Sequence, residues 1–350
     1  MAVIFFTTSF LLFMKRYKNK FDFSAMSAVV LFSWACVSRL IFNVIGGEAQ
    51  TGTVGINSVL LLNVASSYMA ISSLSFRTFR EKLLKALTIL SAATLVAWAL
   101  HVNLGIGSFG GHPAPTFYIF MDWGGRMASI YWEPGEYQII MIFVLGLFFD
   151  EFKKFSFSEI AYYVKKFGIV ILAIIVCQST MGYLSLMALT GISFMFNASV
   201  KKNKIMYVIL FAVAAFLALL IWRSDVVQEK LDSRNLQQRS SLYIRLGDNI
   251  ALLNMSAVSP LTGLSAQEFR KYGRIYGDVT GSNGWFYMAA LFGWPFAIFF
   301  MYCIVRNLRY MKTGIPSMLM FIPLFMSQSN EAWVFFPITF IYVYKYRDYL

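Results

Sequence analysis

Charge is what this sequence has least of. Of its 350 residues, 13% are Asp, Glu, Lys or Arg and 58% are apolar, with a mean hydropathy of +0.63. Soluble domains carry roughly a quarter charged residues, so a water-soluble surface cannot be built from this composition. Histidine is nearly absent: His101 and His112 stand alone, which argues against a metal centre. Cysteine is scarce too. Cys36, Cys177 and Cys303 each sit in an apolar run, at spacings that suit neither a disulfide framework nor a zinc site, and they read as small buried hydrophobes. There is no glycine-rich phosphate loop with its lysine and no Asp-x-Asp pair. No cofactor or metal ion is expected.

What is present instead is long apolar runs rich in aromatics, with 35 Phe, 19 Tyr and 8 Trp. A spanning helix needs about 20 mostly apolar residues, and hydropathy marks about eleven candidate spans (roughly 10–12). They cover roughly 1–14, 24–45, 56–75, 84–104, 135–150, 160–178, 181–199, 204–222, 282–305, 314–329 and 332–345. The fold class expected is all-α, a polytopic membrane protein.

The net charge of +13 invites a nucleic-acid reading, but the positions of the charges exclude it. Segments 15–20, 76–85, 153–166, 201–204, 306–312 and 345–347 hold 20 of the 30 basic residues, and they fall at every second connection. That alternation is the positive-inside pattern. It predicts a cytoplasmic C-terminus and long opposite-side connections at 43–55, 105–134 and 223–281. The last is the most polar part of the chain and too long for a simple turn, so it is expected to form a helical subdomain inserted in the single transmembrane domain 1–350.

Basic residues on the outer side are the ones to question. Apart from Arg223, Lys230, Arg234 and Lys271, they are Arg39 (inside a span, near its outer end), Arg126, Arg239, Arg245, Arg270 and Arg274. A guanidinium fork suits a phosphate. In 237–265, Leu242, Leu246, Ile250 and Leu253 recur at helical spacing, which predicts an apolar stripe resting on the spans. Arg245 and Asp248 would share a face. SPLTG then breaks the helix, and Arg270 and Arg274 would project together from a second one. In RMASIYWEPGEYQ (126–138), Pro134 and Glu136 make a well-formed helix start. Glu133 and Glu136 would face whatever the arginines bind, and a carboxylate there can accept a proton from a sugar hydroxyl. Glu331 is a third carboxylate on that side, and Asn283 is a hydrogen-bonding residue or a helix cap.

These motifs carry a resemblance. An arginine followed by an aromatic–Glu–Pro turn (126–134), the turn QSTMGYLSL (178–186), the arginine helix ending in Pro-Leu-x-Gly (245–263) and GSNGWFYMAALFGW (281–294) resemble, in order, segments of the O-antigen polymerase and O-antigen ligase superfamily of bacterial envelope glycosyltransferases. The ligase branch has a histidine where this chain has Ser282, which favours the polymerase branch. The resemblance implies a metal-independent polymerase of the bacterial inner membrane, with its active site on the periplasmic face. It would transfer a glycan from undecaprenyl diphosphate to a lipid-linked repeat unit. Arg126, Arg239 and Arg245 would clamp the diphosphate, with Arg39, Arg270, Arg274 and Asn283 as further binding residues and Glu133 or Glu136 as the base. A chain-length regulator is the protein partner such an enzyme implies; nucleic acid is not. The alternatives are ligase-type transfer to another acceptor and a flippase for lipid-linked oligosaccharides.

Overall fold

Several helices in this protein begin where the sequence supplies a capping side chain. The computed structural model describes residues 51–100, 121–123, 126–129, 134–197, 241–276, 283–310, 318–328 and 337–344, with isolated positions between 27 and 37. The described part is mostly helical. Its helices are α1 (Thr51–Ser73), α2 (Phe76–Ala99), α3 (Pro134–Gly146), α4 (Phe149–Phe152), α5 (Ile160–Val176), α6 (Thr180–Met195), α7 (Ser241–Val258), α8 (Ala266–Ile275), α9 (Gly284–Phe292), α10 (Trp294–Tyr310), α11 (Phe321–Gln328) and α12 (Pro337–Phe340). Ser75 starts α2 by accepting from the Thr78 amide at 3.2 Å. Ser179 starts α6 by accepting from Gly182. Each cap satisfies an amide that the first helical turn leaves without a partner.

The described helices are shorter than the hydropathy spans in places. α2 begins upstream of the expected 84, taking in the basic segment FRTFREKLLK. The 135–150 run ends its helix at Gly146, and 282–305 is split at Gly293 into α9 and α10. Among the described residues, α2 is long and apolar enough to cross a membrane, and Leu60–Ser73 and Thr180–Met195 are shorter apolar helices. The all-α expectation misses one feature. Strands β1 (Met121–Trp123) and β2 (Arg126–Ser129) pair antiparallel, with Trp123 opposite Arg126. Gly124 and Gly125 stand between them in sequence, and glycine is the residue that two-residue hairpin connections favour.

The chain divides into two compact units, one of residues 1–79, 235–321 and 328–350, the other of 80–234 and 322–327. In the first, α12 packs on α1, where the Tyr344 hydroxyl donates to the Val64 carbonyl at 3.1 Å. In the same unit α7, α8 and α10 pack on α9. In the second, α3 is the central post. It is buried along nearly its whole length, including Tyr137, Gln138 and every residue from Met141 to Gly146. β2, α5 and α6 pack around it.

One end of the second unit is tied by charge. Buried Arg80 on α2 donates to Asp150 at 2.5 Å, to Glu151 at 2.9 Å and to the Leu147 carbonyl at 3.2 Å. Lys166 on α5 reaches Glu151 at 2.9 Å and Glu81 at 2.8 Å. Both cations lie 4.8 Å from the centre of the Phe148 ring, close enough for cation–π attraction. Arg80 and Lys166 belong to the basic segments that set the charge alternation, so part of that charge is committed to joining α2, α4 and α5.

Candidate functional site

The residues singled out by sequence fall into both units. In the first, SPLTG does break the helix as expected, giving α7 and α8 on either side of it. α8 opens with a reciprocal capping box, in which the Ser265 hydroxyl accepts from the Glu268 amide and the Glu268 carboxylate accepts from the Ser265 amide. Asn283 caps α9, its Oδ1 accepting from the amides of Trp285 at 3.1 Å and Phe286 at 3.3 Å. The capping role anticipated for it is therefore present.

The turn after α7 and the break between α9 and α10 interlock through backbone. The Leu264 amide donates to the Ala290 carbonyl at 2.7 Å, and the Trp294 amide donates to the Pro260 carbonyl at 2.8 Å. Gly263 and Gly293 have φ of +73° and +83°. A Cβ on Gly263 would stand 2.3 Å from the Leu291 carbonyl carbon, and one on Gly293 would stand 2.2 Å from the Leu261 oxygen. Only glycine meets both demands, left-handed backbone and contact at that range. Two motifs read separately in the sequence, Pro-Leu-x-Gly and the Gly turn of ALFGW, are the two halves of one joint.

From that joint α7 and α8 run back along α9. Leu252, Met255, Leu264 and Ala290 form a buried cluster, with Phe269, Tyr272, Phe286 and Tyr287 packed against it. Phe269 meets Tyr287 edge to face at 5.1 Å. The N-terminal end of α7, the C-terminal end of α8 and the N-terminal end of α9 therefore lie at the end of this three-helix lobe remote from the glycine joint. That end carries Arg245, half-buried, with Arg270 and Arg274, both exposed, and Asn283. Arg270 and Arg274 project from one helix as their spacing predicts.

The apolar stripe is a correction. It was expected to rest on the spans, yet Leu246, Ile250 and Leu253 are 54%, 61% and 46% exposed. The buried face of α7 consists of Asp248, Ala251, Leu252, Met255 and Ser256, of which Leu252 and Met255 cluster with Ala290 of α9. Helical spacing identifies a face but not its partner, and here a second face, the one that carries Leu252 and Met255, is turned to α9.

In the second unit β2 and the start of α3 are held by buried hydroxyls. The Tyr137 and Ser91 hydroxyls are 2.7 Å apart, and the Thr94 and Ser129 hydroxyls 2.8 Å. Ser129 closes β2 at φ +61°, an uncommon conformation for a residue with a Cβ. These contacts tie both the strand that Arg126 begins and the helix that Glu136 enters in its first turn to α2. One residue further in, the buried amide of Gln138 exchanges two hydrogen bonds of 3.4 Å with Ser327, donating to its carbonyl and accepting from its hydroxyl. A Cβ on Gly182 would lie 3.1 Å from the Gln138 Cβ, so the STMG turn leaves the room that this amide occupies.

Of the residues expected to bind substrate, Arg245, Arg270, Arg274 and Asn283 share one end of the first unit's lobe, and Glu136, half-buried, lies in the second unit. Arg39, Glu133, Arg239, Ser282 and Glu331 lie outside the described residues, and of Arg126 the backbone is described. Sequence reasoning missed Gln138, Ser91, Thr94 and Ser129. Gln138 had a signal, because it is a polar amide at the head of the apolar run IIMIFVLG. The three hydroxyl residues had none, since Ser and Thr are common in apolar helices. Among the described residues no cluster of three His, Cys, Asp or Glu side chains could hold a metal ion.

Compared with known proteins, the chain matches no family model, no curated protein and no solved structure.

Proposed function

We propose that the chain is a polytopic bacterial inner-membrane glycosyltransferase of the O-antigen polymerase type, elongating a surface polysaccharide from a lipid-diphosphate donor. The observation that carries this reading is the gathering of Arg245, Arg270, Arg274 and Asn283 at one end of a helical lobe whose flank is apolar. In an undecaprenyl diphosphate donor, charge grows on the leaving diphosphate as the glycosidic bond breaks. Fixed guanidinium groups in a partly dry site stabilise that charge without reorganising. The acceptor sugar hydroxyl attacks the anomeric carbon of the donor, and its proton passes to a carboxylate, for which Glu133 and Glu136 are the candidates. Arg126, Arg239 and Arg39 complete the proposed cation set. The membrane reading is supported by the composition, by the charge alternation and by α2, which is long and apolar enough to cross a bilayer.

The test is elongation in proteoliposomes given purified lipid-linked repeat units. Longer chains support the polymerase. A change of sidedness without elongation would instead support a flippase, and transfer to a different lipid acceptor a ligase. Replacing Arg245, Arg270 and Arg274 together by glutamine is expected to abolish elongation while the chain still purifies as a folded species. Undiminished elongation by that triple variant sinks the clamp.

A further inference from the structure

We infer that α7, the 259–264 turn and α8 form a hairpin that dips into the acyl-chain layer of the outer leaflet beside α9, its outward face and tip covered by lipid. The inference rests on the proposed reading of α9 and α10 as a membrane-crossing segment whose Asn283 end is extracytoplasmic. It goes beyond that reading, which treats 223–281 as an external loop.

Depth is the first argument. The hairpin turns at the level of Gly293, and the nine residues of α9 that separate this level from Asn283 rise about 14 Å at 1.5 Å each. If Asn283 marks the surface, the turn lies near the middle of a hydrocarbon layer about 30 Å thick.

The chemistry of the turn is the second. Non-helical backbone survives at membrane depth only where protein satisfies its polar groups. Here it does. The Gly263 amide donates to the Ser259 carbonyl at 2.9 Å, Leu264 to Ala290, and Trp294 to Pro260. The Phe292 carbonyl, freed where α9 breaks, accepts from the Trp34 indole at 3.0 Å. The Ser259 and Thr262 hydroxyls pair with each other at 2.9 Å. A loop in water needs none of this, because water would serve.

The surface is the third. Every exposed residue of α7 and its turn from Leu246 to Leu261 is uncharged: Leu246, Gly247, Ile250, Leu253, Asn254, Ala257, Val258, Pro260 and Leu261. Leu261, at the tip, is 66% exposed, whereas solvent-facing turns favour polar residues. Ile298 and Tyr302 on α10 are exposed apolar or aromatic residues as well. The exposed cations, Arg270, Lys271 and Arg274, begin midway along α8 and continue toward the Asn283 end, with none at its first four residues. There long side chains reach headgroup phosphates while their stems stay in the apolar layer. The one carboxylate nearer the turn, Glu268, is engaged by the Ser265 amide.

The experiment is nitroxide accessibility in nanodiscs, on the full chain with Cys36, Cys177 and Cys303 replaced by alanine. Single cysteines carry the label at Val258, Leu261, Arg274 and, as a reference on α10, Tyr302. Collisions with oxygen, which concentrates in lipid, are compared with collisions with a water-soluble nickel chelate. The expected result is a high oxygen-to-chelate ratio at Val258 and Leu261, close to that at Tyr302, falling to a low ratio at Arg274. A chelate-accessible Leu261 beside a lipid-exposed Tyr302 overturns the hairpin and leaves the membrane reading standing. Low collision with both reagents at Leu261 means protein covers the tip, and also overturns it. If Tyr302 itself collides freely with the chelate, the membrane reading fails and the hairpin with it.

Discussion

The two units hold their key turns by opposite means. In the first, the SPLTG turn and the α9–α10 break are locked backbone to backbone, with two glycines at the contact and no side chain between them. In the second, the start of α3 is held by side chains: a tyrosine, a glutamine and four hydroxyl residues, with an ion cluster beyond. The difference teaches where each unit is brittle. A backbone joint tolerates no added atom but ignores most side-chain chemistry. A side-chain joint tolerates changes of size but not the loss of a partner in a buried place.

The sharpest way to break this comparison is to add one methyl group. Gly263→Ala and Gly293→Ala are each expected to unfold the α7–α9 lobe. Left-handed backbone alone costs a residue with a Cβ about 1–2 kcal/mol, and a carbon placed 2.2–2.3 Å from backbone atoms has nowhere to go. Chemical denaturation of the purified chain in detergent reads the effect, and a loss below about 1 kcal/mol would mean that the joint is soft. Next in size is Arg80→Met, which strips Glu151 and Asp150 of a buried partner. Its expected cost is about 3 kcal/mol, reduced if Lys166 takes over Glu151, and a Lys166→Met, Arg80→Met double-mutant cycle measures that sharing. Gln138→Leu should cost about 1–3 kcal/mol, because Ser327 then keeps buried groups with no partner. Smallest is Asn283→Ala, at about 1 kcal/mol for a lost cap. Its elongation rate distinguishes a cap from a ligand: a loss of activity much larger than the loss of stability assigns Asn283 to substrate as well.

The sequence was legible where a local rule decides. The cap at Asn283, the helix start at Pro134 and the break at SPLTG follow from residues within one turn of the feature, and all are present. The break at Gly146 escapes the sequence reading, and the Gly turn at Gly293 is seen as a motif yet left inside one unbroken span, 282–305, because hydropathy averages over a span and cannot see a single kinked peptide within it. The buried face of α7 was read wrongly for a related reason. Leu246, Ile250 and Leu253 make the stronger apolar stripe, but Leu252 and Met255 are the residues buried against Ala290 of α9, and which face is buried is a property of the pair. The pairing of the two glycine turns is likewise invisible from either turn alone. As for the candidate site, the sequence reading chose four residues that share an end of one lobe, Arg245, Arg270, Arg274 and Asn283. The polar lock behind Glu136 had to be found in three dimensions.

The enclosure of α3 has a consequence for dynamics. Its amides are shielded by neighbouring protein on nearly every side, so their exchange with deuterium requires the surrounding helices to part first. Protection factors along 139–146 should therefore report the global opening of the second unit, making this short helix a built-in gauge of when that unit comes apart.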